Sequence, residues 1–116
     1  MTDTEALAQI RAICDGFADA EEATLQHRPL FHVRRRRFAI FNGEASPPRP
    51  RWNASGRSLH FLADPVEADA LRADPRFTPS PHHGDRGWLM IRLDVDTDWD
   101  EIAELLDSAH RRVARP

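Results

Sequence analysis

The stretch that most constrains the fold is residues 82–113, H-H-G-D-R-G-W-L-M-I-R-L-D-V-D-T-D-W-D-E-I-A-E-L-L-D-S-A-H-R-R-V. Residues 88–93 have the composition and length of a strand. Leu89, Ile91 and Leu93 share one face and supply the core set; Trp88, Met90 and Arg92 take the other. Residues 94–97 turn the chain. Asp98 is placed to cap a helix, and Glu101, three residues on, completes a capping-box pattern. Asp100 and Glu101 put negative charge in the first turn, and Arg111, Arg112 and Arg115 put positive charge near the other end, as the helix dipole favours. Trp99, Ile102, Leu106, Ala109 and Val113 form one stripe, with Leu105 beside it. The spacing predicts a helix lying across the Leu89/Ile91/Leu93 face of a sheet.

The rest of the chain supplies the partners. Thr2-x-x-Glu5 is a second capping-box pattern, followed by Leu7, Ile10, Cys14 and Phe17 at helical spacing with Ile13 beside them. A helix is expected over residues 3–15, ending near Gly16, with Cys14 as a packed thiol on its apolar stripe. Residues 21–26 read as a short strand. Residues 30–34 and 37–42 read as a hairpin in which Phe31 and Val33, then Phe38 and Ile40, alternate; its turn falls on Arg35-Arg36. Two arginines are poor chemistry for a primed two-residue turn, which favours Asn or Gly. Residues 42–56 form a proline-stiffened loop and 57–63 a strand with Leu59, Phe61 and Ala63 on one side. Asp64-Pro65-x-Glu67 opens a helix that runs to Ala73. Phe77-Thr78 starts a short strand cut off by Pro79 and Pro81. No repeat or domain boundary interrupts residues 1–116.

At 116 residues, 41% apolar, the chain can bury roughly two thirds of its unfolded surface as one domain. It contains no apolar run long enough to span a membrane, and its first residues lack the pattern of a secretory signal. A single cysteine forms no internal disulfide, and a cytoplasmic setting is expected. The basic residues are arginine throughout, and their placement is uneven. Residues 27–57 hold eight arginines and one acid, a formal +7; the remainder holds eight arginines and eighteen acids, a formal −10. Such a chain presents a local positive field on an acidic whole.

Gly87-Trp88, the following apolar strand, the acidic turn, Asp98-Trp99 and the late Ser108 resemble the ending of the YjbR/MmcQ family of small bacterial proteins. His110 stands near where that family commonly has a tyrosine. The match extends back through the N-terminal helix, the basic hairpin and the Asp-Pro-x-Glu helix start. The resemblance implies an α+β, CyaY-like two-layer sandwich, an antiparallel sheet with the N- and C-terminal helices packed on one face. It also implies DNA binding through hairpin wings, and it carries no catalytic residue set and no cofactor.

One constellation offers chemistry. Arg34, Arg35, Arg36 and Arg37 at a hairpin tip, with Arg49, Arg51, Trp52 and Arg57, would present guanidinium forks to phosphate oxygens, and Trp52 could stack on a base or pin its loop. Contact with about four phosphates implies a salt slope of roughly −3 to −4. Against this stands a solvated turn kept charged in an arginine-biased chain. His82, His83, Asp85 and His60 invite a metal reading, but neighbouring histidines on extended chain point oppositely and no zinc spacing is present. Asp15, Asp19, Glu21 and Glu22 form an acidic cluster that a solvated helix end explains. Asp94, Asp96 and Asp98 open like a calcium loop, but the sixth and twelfth positions are Trp99 and Leu105. Known catalytic motifs are absent. The reading is a non-enzymatic protein whose basic hairpin contacts the DNA backbone. The alternatives are a protein-interaction or regulatory module, using the sheet face or a Trp88/Trp52 patch, and then a small-molecule or metal binder.

Overall fold

The computed structural model describes residues 1–45, 56–81 and 86–115. Its elements run α1 Asp3–Asp15, β1 Glu21–Leu25, β2 Arg28–Val33, β3 Arg36–Asn42, β4 Ser58–Leu62, α2 Pro65–Ala73, β5 Phe77–Pro79, β6 Trp88–Arg92 and α3 Trp99–Ala114. The strands form one sheet in the order β1-β2-β3-β4-β6-β5, with every neighbouring pair antiparallel. The fold is α+β, as the sequence pattern implies.

One face of the sheet is apolar because every second residue is: Phe31 and Val33 on β2, Phe41 on β3, Leu59 and Phe61 on β4, Leu89 and Ile91 on β6. Against it pack Ala6, Ile10 and Cys14 of α1 and Ile102, Leu106, Ala109 and Val113 of α3, so the first and last helices share that face. Helix α2 buries only Ala68. His110, also buried, fills the junction between α1 and α3. Its ring stacks on Phe17 with centroids 4.8 Å apart and meets Phe38 edge-on at 5.6 Å. Its Nε2–H donates to the Ala18 carbonyl at 2.8 Å. An aromatic body with one polar handle suits a site that is oily on one side and holds backbone on the other.

The opposite face has a small apolar cluster of Leu30, Ile40 and Trp88, so Trp88 is buried on the side away from the helices. Beside it runs a buried polar row. Arg28 Nε donates to Asn42 Oδ1 at 2.8 Å, and Asn42 Nδ2 donates to the Gly56 carbonyl at 2.7 Å. Ser58 spends its single proton on that same carbonyl at 3.2 Å. His60 Nε2 is hydrogen-bonded to Ser58 Oγ at 3.0 Å, and His60 Nδ1 to Ser80 Oγ at 2.7 Å. Both ring nitrogens are committed, which removes His60 from the metal reading.

The helix starts follow the sequence signals with one exception. Thr2 and Glu5 form the reciprocal capping box. Asp98 caps α3 by accepting from the backbone N–H groups of Asp100 and Glu101. The Glu101 carboxylate does not return to the cap; Arg76 draws it off with two bonds of 2.8 and 2.9 Å. The hairpin turn also differs from expectation. It falls on Arg34-Arg35, with φ of 48° and 70°, and Val33 pairs with Arg36. Both residues occupy the left-handed region, as a primed turn requires, despite their side chains. A register shift at Phe31/His32 moves the turn by one residue and lets Phe38 and Ala39 both reach the core. The backbone N–H of Arg35 donates to His32 Nδ1 at 3.3 Å, which helps hold the strained turn.

At the other end of the ribbon, Arg57 Nε donates to Asp3 Oδ1 at 2.8 Å and Arg57 Nη2 reaches Glu44 at 3.3 Å. Asp3 also accepts from the backbone N–H groups of Glu44 and Ala45. This clamp ties the start of α1 to the end of β3. Gly43 is required by it, since a Cβ there would sit 2.5 Å from the Asp3 carboxylate. Partial burial alone would raise the Asp3 pKa; the Ala45, Arg57 and Glu44 bonds outweigh it and hold the carboxyl below its ordinary 3.8.

Two outcomes follow from these contacts. A folded-state pKa below the unfolded one means Asp3 contributes fully above about pH 4 and progressively less as pH falls further. Asp3→Asn is expected to cost about 1 kcal/mol at neutral pH and to flatten the acid limb of stability measured by urea unfolding at stepped pH. Cys14 is 3% exposed; burial first, then the charges of Asp15 and Glu22, push its thiol up to about 12. Alkylation by iodoacetamide at pH 8, followed by mass, is expected to be negligible in the folded protein and complete in urea.

Candidate nucleic-acid interface

The β2–β3 ribbon projects Arg34, Arg35, Arg36 and Arg37 at its tip, and all four are exposed. Alternation along the strands then divides them. Arg36 stands opposite Val33 on the helix side of the ribbon. There its Nη1 donates to the carbonyls of Val113 at 3.3 Å and Arg115 at 2.7 Å. Arg34 Nη2 donates to the Ala114 carbonyl at 3.0 Å. These carbonyls belong to the last turn of α3 and its cap, where no intrahelical partner exists and the helix dipole is negative. Two arginines of the tip thus form a C-terminal cap delivered from the other side of the chain. A bond to a neutral carbonyl leaves the guanidinium charge in place. Among the described residues the carboxylate nearest this pair is Asp19, 3.7 Å from Arg34, and both side chains are more than half exposed, so it screens little.

Arg37 stands opposite His32, on the face away from the helices. The side chains of Arg35 and Arg37 make no hydrogen bond or ion pair with any described residue. Toward the end of α3, Arg111 pairs with Asp107 at 2.7 Å, Arg112 Nη1 donates to the Ala63 carbonyl at 2.7 Å, and Arg115 is exposed. The sequence showed these last arginines only as complements to the helix dipole.

Of the eight expected residues, the structure brings together Arg34 to Arg37. Arg57 is separated from them. It adjoins Ser58, which pairs with Asn42 at the far end of β3, about 20 Å along the strand from Arg36. Its side chain is 11% exposed and held between two carboxylates. Arg49, Arg51 and Trp52 lie outside the described residues, as do His82, His83 and Asp85. Among the described residues no three His, Cys, Asp or Glu side chains are grouped to hold a metal. Two of the three acids that open like a calcium loop have local duties. Asp94 Oδ1 accepts from the Asp96 N–H at 2.9 Å, and Asp98 caps α3. Of the acidic cluster near α1, Glu22 is taken by two bonds from Arg11. No helix among the described residues is long and apolar enough to cross a membrane.

Comparison with known proteins bears on the fold. The crystal structure of the Deinococcus radiodurans protein DR2400, described by the domain DUF419, aligns with a TM-score of 0.74 at 20% identity, covering 94% of this chain and 78% of that one. A crystal structure from Pseudomonas syringae aligns with a TM-score of 0.68 at 14% identity, covering 91% and 97%. At such identities the likeness is one of fold. A search of curated protein sequences returned no significant match. The model of the YjbR family matches residues 16–112, all of the chain beyond α1 except its last four residues, and the chain belongs to the YjbR family.

Proposed function

We propose that this protein contacts the phosphate backbone of DNA, without enzymatic chemistry, through the tip of the β2–β3 ribbon. The observation that carries the reading is the pair Arg35 and Arg37, exposed and uncommitted among the described residues, beside two arginines that keep their charge. Guanidinium forks match phosphate oxygens, and a two-stranded ribbon has the width to enter a groove. The bonds from Arg34 and Arg36 to the end of α3 fix the ribbon's direction, so little ordering is required on contact. Arg35 and Arg37 act as the direct donors. Arg34 and Arg36 add field and hold the tip. Arg57, clamped elsewhere, takes no part, and no base-reading set is assigned.

Binding of a fluorescent DNA duplex, followed by anisotropy across several salt concentrations, tests this. A slope of log K against log salt between roughly −2 and −4 is expected, falling in magnitude by about 2 in the Arg35→Ala/Arg37→Ala protein. Arg57→Ala should leave the slope unchanged. Equal affinity and slope in the wild type and the double variant would remove the ribbon tip from the mechanism.

The structural part of the reading has its own check. Arg36→Ala uncaps α3 and is expected to cost about 1 kcal/mol in chemical denaturation. Arg35→Ala, which removes no bond to a described residue, should change stability by less than about 0.5 kcal/mol.

A further inference from the structure

At the opposite end of α3, about 24 Å from the basic tip for its 16 residues, the β5–β6 pair and the turn before the helix enclose a groove. Its volume is about 390 Å³, and Pro75 and Met90 are the apolar side chains that reach its floor. Asp94, Asp96, Asp98, Glu101, Arg76 and Arg92 stand around that floor. Their charges do not cancel. Arg76 is consumed by Asp74 and Glu101, at 2.8 Å each. Asp94, Asp96 and Asp98 form no ion pair with any described residue, and Arg92 is the one guanidinium left beside them. Val95, between two of these acids, is 78% exposed. Strand β5 is the margin of the sheet, so no further strand among the described residues roofs the groove.

From this juxtaposition we propose a second binding surface, independent of the polyanion reading: the groove receives a segment of a partner protein in which apolar side chains are flanked by arginine or lysine. The floor takes the apolar side chain and the surplus carboxylates hold the flanking cations. A small pocket with few polar groups around an apolar base has the form of such sites.

The test uses the full chain and three fluorescein-labelled peptides: arginine alternating with leucine, the same with serine for leucine, and the same with glutamate for arginine. In anisotropy titrations the arginine–leucine peptide is expected to saturate. The serine peptide should bind at least about tenfold more weakly, since each buried methylene is worth about fourfold, and the glutamate peptide should not bind. Asp94→Asn/Asp96→Asn keeps the local hydrogen-bond acceptors and should weaken the arginine–leucine peptide about tenfold with an unchanged melting temperature. Met90→Ala should weaken it severalfold, whereas Glu104→Gln, outside the groove, should not. Equal binding of the leucine and serine peptides, an unaltered affinity in the double Asn variant, or no binding at all would each overturn the proposal. So would self-association of the free chain that disappears in the double Asn variant, which would make a second copy the occupant.

Discussion

The molecule hangs on the burial of one helix stripe against one face of the sheet. Ile102, Leu106 and Ala109 are fully excluded from water, as are Leu59 and Leu89 beneath them. Each buried leucine or isoleucine among them is worth about 1.5–3 kcal/mol, against a net stability of about 5–15 kcal/mol for a domain. Losing any one removes a large share of the margin. The same packing decides where α3 begins and ends. Its start lands beside β5 and β6, which makes the acidic groove, and its end lands beside the β2–β3 tip, which needs Arg34 and Arg36 as caps. The chemistry at both ends therefore follows from one packing event.

The two faces of the sheet obey different physics. The helix-covered side is held by shape and by exclusion of water, and it accepts apolar exchange at conserved volume. The other side carries Arg28, Asn42, Ser58, His60 and Ser80, all buried, and survives only because its hydrogen bonds are matched in sequence. Removing one member leaves its neighbour's polar atom dry and unpaired, which costs more than the bond contributed. Such a row fixes strand register as firmly as hydrophobic alternation does. A one-residue slip of β4 would turn His60 toward the helices and Leu59 into the polar row.

What the sequence made legible was local. Each helix announced itself through its cap, and α1 and α3 also through a stripe, because Thr2, Asp64 and Asp98 satisfy backbone groups only two or three residues away. The Glu101 capping box failed for the opposite reason: its competitor, Arg76, lies 25 residues back. The hairpin turn was misplaced by one because the irregularity at Phe31/His32 has no signature in composition. The arginine cluster shows the limit most clearly. Its charge could be counted from the sequence, but the partners that sort it could not. Arg36 meets carbonyls 77 and 79 positions away, and Arg57 meets Asp3 across 54. The groove beside α3 was hidden for the same reason, since β5, β6 and the acidic turn become its walls only after packing.

The margins of the sheet carry a last consequence. On one side β5 spans three residues and closes on Pro79, which lacks the N–H that a neighbouring strand would need. On the other, β1 opens with Glu21 and Glu22, both exposed. A stranger's strand would thus meet brevity and a missing donor at one border and paired acids at the other. Sheets so bounded resist lateral stacking into fibres, and this one does so without spending a single core residue on the defence.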